Sequence, residues 1–359
     1  MNGSVVDGEC FNMKFEKVIL ISLCLTLIPM AKGLTKSDQS FKPTPRINVA
    51  AVGDIMMGTD YPLLKLPENE GRALFNESKE ILRRANITFG NLEGTLYEGG
   101  SPGKDIKEDE VYLFRTPPKF VNNLVDAGFN VLSLANNHTG DFGREGLTST
   151  KKTLKSVEIK YSSKAGEVAE FKVKGVKIGL VAVSFGPPPR SIVNPEKVLD
   201  EIGLLSKKYD LLILSIHGGK EGRPALQTKN EDESFLGKPR GNLVEFAHQA
   251  IVRGADLILG HGPHVPRAME VYQKRLIAYS LGNFCTYGGM NLKEERSYAP
   301  LLWVELHRNG EFIKGKIYSF IQIAPGGPKK DEQGRAYGLI KKLSQQDFPQ
   351  TYPPLDPQR

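Results

Sequence analysis

Cysteine is scarce in this chain, whose 359 residues contain only Cys10, Cys24 and Cys285. No Cys-x-x-Cys pair occurs, which excludes a structural zinc site of the finger type. Cys10 and Cys24 lie in an N-terminal leader, so the remainder of the chain keeps Cys285 alone and can form no internal disulfide. Neither a structural zinc finger nor an internal disulfide can therefore stabilise the part of the chain after the leader.

Apolar runs long enough to span a membrane are also lacking. The N-terminal run VILISLCLTLIPM covers residues 18–30, whereas a spanning helix needs roughly 20 residues. Lys14 and Lys17 precede this run and small residues follow it, which is typical of a signal peptide. We predict that residues 1–33 direct export, with an uncleaved anchor over 14–30 as the alternative and Met13 as an alternative start.

Basic blocks interleaved with aromatic residues are missing, although the net charge is +7 and the pI is near 9.0. Nucleic acid is therefore the least supported partner, while an acidic polymer or an anionic membrane fits such a surface. Composition further predicts a polar linker at 34–46, one main domain at 47–323 and a Gly/Pro-rich surface tail at 324–359.

Six apolar runs with strand-like composition each end in a polar residue. They are INVAAVGD (47–54), ANITFGNLE (85–93), FNVLSLANNH (129–138), DLLILSIH (210–217), ADLILGHGPH (255–264) and RLIAYSLGN (275–283). The polar residues at their ends are Asp54, Glu93, Asn137, His138, His217, His261, His264 and Asn283. Because ligands bind at the carboxyl ends of strands in α/β sheets, we expect these side chains to converge.

The converging residues are of metal-binding types. The chain has only six histidines, and four of them lie at these strand ends. Histidine, asparagine and carboxylate ligands scattered along the chain are typical of a catalytic centre that the fold assembles. Such a set suits one or two divalent ions, and Zn, Mn and Fe all remain open.

Helical patterns separate the apolar runs, at 71–85, 119–129, 142–156 and 241–255. Two further segments, 171–185 and 301–323, have hairpin patterns with turns at Lys174-Gly175 and Asn309-Gly310. Alternation of strands and helices with added hairpins predicts an α/β fold with mixed sheets.

The ordered motifs resemble those of the bacterial capsule-synthesis CapA family. They are GD (53–54), GNLEG (90–94), ANNHTGDFG (135–143), HGGKE (217–221), GADLILGHGPH (254–264) and YSLGNF (279–284). That family is associated with poly-γ-glutamate capsules and belongs to the calcineurin-like metallophosphoesterase superfamily. The resemblance implies a four-layer α/β/β/α sandwich with metal ions at the strand ends.

The resemblance also implies roles for individual residues. Asp54, Glu93 and His264 would form a first metal site, and Glu93, Asn137, His217 and His261 a second one. His138 would act as general acid or as a donor to the attacked group. Met56 stands where the superfamily has histidine, so the first site either binds metal weakly or recruits a substitute such as Asn283.

Three further features are candidates for substrate binding. Arg115 and Arg267 have the charge and fork geometry that match carboxylate or phosphate groups. The long polar segment 222–241 is either a lid over the substrate or an ordinary surface insertion.

Together these features predict an exported, CapA-like metal-dependent hydrolase. It would act in synthesis, export or trimming of an anionic envelope polymer such as poly-γ-glutamate, alongside membrane-bound capsule-synthesis proteins. One alternative is a non-catalytic, polymer-binding component of an export assembly. Another is an envelope phosphodiesterase or nucleotidase acting on a phosphoester substrate.

Overall fold

A computed structural model describes residues 45–104, 112–163, 166–187 and 190–357. The signal peptide and most of the linker that the sequence predicts lie outside these ranges. In the described part, no helix combines the length and the apolar character needed to cross a membrane.

The first sheet contains both ends of the described chain. Its strands are β1 (Ile47–Met56), β2 (Ile87–Leu92), β5 (Val131–Ser133), β6 (Lys160–Ser162), β15 (Asn283–Thr286), β16 (Tyr298–Leu306), β17 (Phe312–Gln322), β18 (Pro328–Lys330) and β19 (Leu355–Pro357). They are ordered β18-β17-β16-β1-β2-β5-β6, with β15 paired to β1 and β19 paired to β17. Strands β1, β2, β5 and β6 are parallel, whereas β16 runs antiparallel to β1.

The second sheet is built from the central part of the chain. Its strands are β7 (Ala169–Val173), β8 (Val176–Ser184), β9 (Leu211–His217), β12 (Leu257–His261), β13 (Met269–Tyr272) and β14 (Arg275–Ala278). The order is β13-β14-β12-β9-β8-β7, in which β8, β9, β12 and β14 are parallel. All six predicted apolar runs thus contain strands, and both sheets are mixed as predicted.

The remaining elements are helices and two short strand pairs. The α-helices are α1 (Lys79–Leu82), α2 (Val121–Ala127), α3 (Gly143–Ser156), α4 (Glu196–Leu205), α5 (Leu243–Val252) and α6 (Arg335–Asp347). The strand pairs are β3 (Thr95–Leu96) with β4 (Arg115–Thr116), and β10 (Glu233–Phe235) with β11 (Lys238–Gly241). Gly128 ends α2 in the left-handed conformation at φ 89°, which is why glycine suits that position.

Three apolar layers hold the molecule together. The central layer joins the two sheets through buried side chains such as Val49, Phe89, Ile178, Ile213 and Leu257. One outer layer packs the first sheet against α1, α2 and α3, and the other packs the second sheet against α4 and α5. The four-layer α/β/β/α arrangement that the resemblance implied is therefore confirmed.

Two segments differ from their sequence-based prediction. In the predicted helix at 71–85 only α1 is α-helical, although Leu74, Phe75 and Leu82 are buried as the pattern required. Residues 324–359 contain more structure than a surface tail, because α6 buries Ile340 in the central layer and β19 pairs with β17. Helix α6 has few apolar residues, and the surrounding glycines, prolines and charged residues led to the prediction of a surface tail.

Candidate metal centre

The carboxyl ends of parallel strands from both sheets bring the predicted polar residues together. Asp54 lies in β1 beside Asn283 of β15, and His217 and His261 are paired at the ends of β9 and β12. Asp54, Glu93 and His217 each offer a ligand atom within 4.8 Å of the other two. This buried group could hold a metal ion.

A close backbone approach sets the position of Asp54. Its amide donates to the Gly282 carbonyl at 2.9 Å, and a Cβ on Gly53 would lie 1.9 Å from the same oxygen. Only glycine therefore fits at residue 53 without moving the backbone. The GD motif read from the sequence has this physical basis, because the glycine lets β15 bring Asn283 next to the aspartate.

Asn91 ties the two buried carboxylates together. Its Nδ2 donates to Asp54 Oδ1 at 2.8 Å and to Glu93 Oε2 at 2.5 Å. Asn136 holds Asn91 in turn, with Nδ2 donating to Asn91 Oδ1 at 3.0 Å. Neither acid forms an ion pair with a lysine or arginine in the described ranges. Asp54 is paired with His264, whereas no charged group among the described residues lies within hydrogen-bond distance of the Glu93 carboxylate, so burying a charge on Glu93 is costly unless a cation joins it.

The candidate histidines surround these carboxylates. His264 Nδ1 lies 2.8 Å from Asp54 Oδ2 and 3.1 Å from Asn283 Oδ1. His217 Nε2 lies 2.8 Å from Asn137 Oδ1, while its Nδ1 is 3.8 Å from Glu93 Oε2. His261 Nδ1 is 3.7 Å from Asp54 Oδ1. All six predicted ligands therefore belong to one cluster.

Several ligand-type atoms in this cluster are buried and have no hydrogen-bond partner in the structure. They are Glu93 Oε1, His217 Nδ1, and both ring nitrogens of His261. Buried polar atoms are normally paired, so each orphan atom requires an explanation. A divalent ion would use these carboxylate and imidazole donors, and the residues present therefore fit such a group.

Burial and mutual charge shift the pKa values within the cluster. Burial, reinforced by the Asp54 charge, holds the pKa of Glu93 well above its usual value. Burial lowers the pKa of His217 strongly and that of His261 to about 4, which keeps both rings in the neutral, ligand-ready form. Burial also opposes charge on His264, but the bond to Asp54 outweighs it and raises the His264 pKa to about 10. A metal ion at His264 must therefore displace a proton.

His138 lies beside the cluster and is held by an acid that the sequence analysis did not single out. Its Nδ1 is 2.8 Å from Asp141 Oδ2, and its Nε2 is 3.9 Å from Glu93 Oε1. Asp141 is fully buried, accepts from the Phe114 amide at 2.7 Å and pairs with Lys104. The spacing His138-x-x-Asp141 within ANNHTGDFG was the available signal. Burial is the main cause of a lowered His138 pKa, and Asp141 opposes it.

The two candidate arginines are each committed to partners within the chain. Arg115 Nε bonds to Asp60 Oδ1 at 2.6 Å, and its guanidinium carbon lies 5.1 and 4.9 Å from the ring centres of Tyr61 and Phe142. Arg267 is fully buried, and both of its terminal nitrogens bond to Glu233 at 2.8 Å. These contacts fix loops around the centre. Their predicted role in substrate binding stays a prediction.

Met56 and Asn283 occupy different surroundings. Met56 Sδ accepts from the Gly58 amide at 3.3 Å, and the side-chain methyl packs against Gly289. Asn283 is fully buried, with Oδ1 at His264 and Nδ2 donating to the Arg296 carbonyl at 3.2 Å. Asn283 Oδ1 thus lies beside His264, and its role as a substitute for the expected histidine stays a prediction.

The predicted segment 222–241 contains the β10–β11 hairpin and Arg240, a residue that sequence reasoning missed, while its partner Glu221 lies just before the segment in the quoted HGGKE motif. Arg240 Nη2 bonds to Glu221 Oε1 at 2.8 Å, and Glu221 Oε2 lies 4.0 Å from His264 Nε2. Asn91, by contrast, stood within a quoted motif. No sequence pattern pointed to Arg240, because Glu221 and the Phe185 ring, which contact it, lie outside the segment.

Comparison with known proteins gives a family match, sequence relatives and structural neighbours. Residues 48–287 match the family described as Bacterial capsule synthesis protein PGA_cap. The chain is 27% identical over 352 residues to the capsule biosynthesis protein CapA of Bacillus anthracis, covering 89% of this chain and 78% of that protein. It is 29% identical over 317 residues to the PGA biosynthesis protein CapA of Bacillus subtilis (strain 168), covering 83% and 78%. A putative 5'-nucleotidase structure from Staphylococcus aureus shows 13% identity and a TM-score of 0.42, covering 83% of this chain and 58% of that one.

Proposed function

Because this chain belongs to the bacterial capsule synthesis protein PGA_cap family, we propose that it is a metal-dependent hydrolase acting on an anionic capsule polymer of the poly-γ-glutamate type. The names of the two Bacillus relatives, which refer to capsule and PGA biosynthesis, support the polymer class. The observation that carries the catalytic part is the set of orphaned, buried ligand atoms on Glu93, His217 and His261.

The chain's own residues divide the work of binding ions. Asp54, Glu93 and His264 would hold one divalent ion, and Glu93, Asn137, His217 and His261 would hold the other, with Glu93 shared. A divalent ion supplies a Lewis acid that polarises a phosphoryl or acyl oxygen. Asn91 Nδ2 donates to one oxygen of each carboxylate and so fixes the orientation of Asp54 relative to Glu93.

His138 is the residue that would move a proton. Asp141 occupies its Nδ1, which leaves Nε2 directed to the Glu93 side of the cluster. A protonated Nε2 can give its proton to a leaving group, and Asp141 stabilises the charged ring that this role requires. Phe114 lies over the ring at a centroid distance of 4.3 Å and limits its contact with water.

Turnover by the metal-loaded full chain tests the proposal. We expect release of shorter products from poly-γ-glutamate, and a fall of about 10²–10⁴-fold in rate in His138→Asn with metal content unchanged. His307→Asn is the matched control, because His307 follows Leu306, which pairs with Ile47 at the opposite end of β1 from Asp54. Polymer binding without cleavage would favour a non-catalytic component. Cleavage of nucleotides or phosphodiesters alone would favour an envelope phosphoesterase.

Export belongs to the same proposal and rests on the sequence of residues 1–33. Mass spectrometry of the native protein should find a mature chain that begins near Leu34, outside the cytoplasmic membrane. An intact leader in a cytosolic fraction would contradict export and would separate the protein from an envelope polymer.

A further inference from the structure

Two buried arginines, Arg240 in segment 222–241 and Arg267 beside it, have different surroundings. Arg267 directs both terminal nitrogens to Glu233 and donates a third bond to the Lys220 carbonyl at 3.0 Å. Arg240 makes one ion pair, from Nη2 to Glu221 at 2.8 Å. Its Nε and Nη1 are buried and have no hydrogen-bond partner in the part of the chain that the structure describes.

The Arg240 guanidinium lies between two aromatic rings. Its central carbon is 4.0 Å from the centre of the Phe185 ring and 5.3 Å from that of Phe235. The residue is only 5% exposed. Stacking stabilises a cation but satisfies none of its N–H groups, and leaving donors of a buried charged group unpaired is costly. The open donors therefore suggest a partner other than the protein.

Arg240 is also connected to the metal cluster. The Phe185 ring centre is 6.0 Å from that of His217, and the Phe185 amide donates to the His217 carbonyl at 2.9 Å. The Gly219 amide donates to the Arg240 carbonyl at 3.0 Å. On its other side, Glu221 reaches to 4.0 Å from His264 Nε2. The guanidinium is thus separated from His217 by the Phe185 ring and from His264 by the Glu221 carboxylate.

From this arrangement we propose that Arg240 recognises an anionic group of the substrate, a carboxylate in a polymer of the glutamate type. The inference rests on the proposed function and adds a determinant of specificity to it. The fork formed by Nε and Nη2 matches the two oxygens of a carboxylate, and Nη2 of that fork is the nitrogen that Glu221 now holds. Glu221 is the resident competitor for the same guanidinium, and Phe185 and Phe235 hold the plane of the fork.

Binding of a short γ-linked glutamate oligomer to the metal-loaded full chain, measured by calorimetry, tests the inference. Arg240→Gln should weaken binding at least tenfold, and Arg240→Lys should fall between this variant and the parent. Glu221→Gln should tighten binding several-fold, because it removes the competing carboxylate. Arg223→Gln is the control, since Arg223 is exposed and pairs with Glu294. Metal content and melting temperature are recorded for each variant.

The outcomes separate this inference from the function on which it rests. If the parent binds the oligomer and Arg240→Gln binds it equally well, the role of Arg240 is overturned and the proposed function stands. If Glu221→Gln weakens binding as Arg240→Gln does, the pair is purely structural and the inference fails. If the parent binds no oligomer, the polymer assignment fails together with this inference. Should Arg240→Gln not fold, the sign of the Glu221→Gln effect still decides.

Discussion

The two halves of the metal centre differ in how far the protein satisfies them. In the aspartate half, Asp54 accepts from Asn91 at 2.8 Å and pairs with His264, and Asn283 contacts the same histidine. In the glutamate half, which consists of Glu93, Asn137, His217 and His261, four ligand atoms are buried and unpaired. The charge of Asp54 is balanced within the aspartate half by His264, whereas the buried ligand atoms of the glutamate half have no partner among the described residues.

This difference indicates which half a metal ion stabilises more. An ion in the aspartate half must replace an existing ion pair between Asp54 and His264. An ion in the glutamate half would instead offset the free-energy cost of burying polar atoms that have no hydrogen-bond partner. We therefore expect the glutamate half to bind metal first and more tightly. Met56, which stands where the resemblance predicts histidine, also favours weaker binding in the aspartate half, because a thioether is a weak ligand for hard ions.

The largest effect is expected from Glu93→Gln, because Glu93 is the ligand proposed to be shared by both halves. This variant should lose both metal ions, as measured by elemental analysis after dialysis. Glu80→Gln, whose side chain is 80% exposed, should retain the full metal content. Full metal content in Glu93→Gln would remove the bridging assignment and leave the two halves independent.

Single histidine variants should separate the halves. His217→Ala removes a ligand of the glutamate half and should reduce that ion alone. His264→Ala should reduce only the ion of the aspartate half. Elemental analysis and titration of each variant give the two stoichiometries, and equal losses from both halves in either variant would contradict the division.

A metal titration of the unaltered apoprotein should sharpen the comparison. We expect one tight binding event and one weak or absent event, followed by tightening of the weak event in Met56→His if the imidazole reaches Asp54. Two equally tight events would show that the aspartate half is complete. Asn283 would then be the substitute ligand, and Asn283→Ala should weaken one event.

The smallest effect concerns Asn91, which spans the halves. Asn91→Ala leaves Asp54 and Glu93 facing each other without the amide, so the apoprotein should lose about 1–3 kcal/mol of unfolding free energy. Metal should restore most of this loss, because the ions separate the two charges. Chemical denaturation with and without metal measures both values, with Asn122→Ala, an exposed change on α2, as control. A loss that metal does not restore would assign Asn91 to packing alone.

The strand ends and the polar side chains that meet there could be predicted from the sequence, because strand composition and polar termini are local patterns. Asp54, Glu93, His217 and His261 each follow or end an apolar run, and the fold then brings them together. Asp141 and Arg240 escaped prediction since their significance depends on partners that the fold supplies from elsewhere. Arg267 illustrates the converse problem, because its charge suggested a substrate while its geometry is committed to Glu233. Helix α6 was missed for a related reason, as its apolar residues have meaning only against the central layer.

The place of β1 in the first sheet has a consequence for the order in which a newly made chain can fold. This strand, which carries Asp54, lies between β2 and β16, and Ile47 is paired with Leu306. One edge of β1, the first strand of the described part of the chain, is thus paired only with residues made about 250 positions later. Such distant pairing is slow to form. The cluster around Asp54 therefore cannot be complete until Asn283 of β15 and the β16 strand that follows it have both been made.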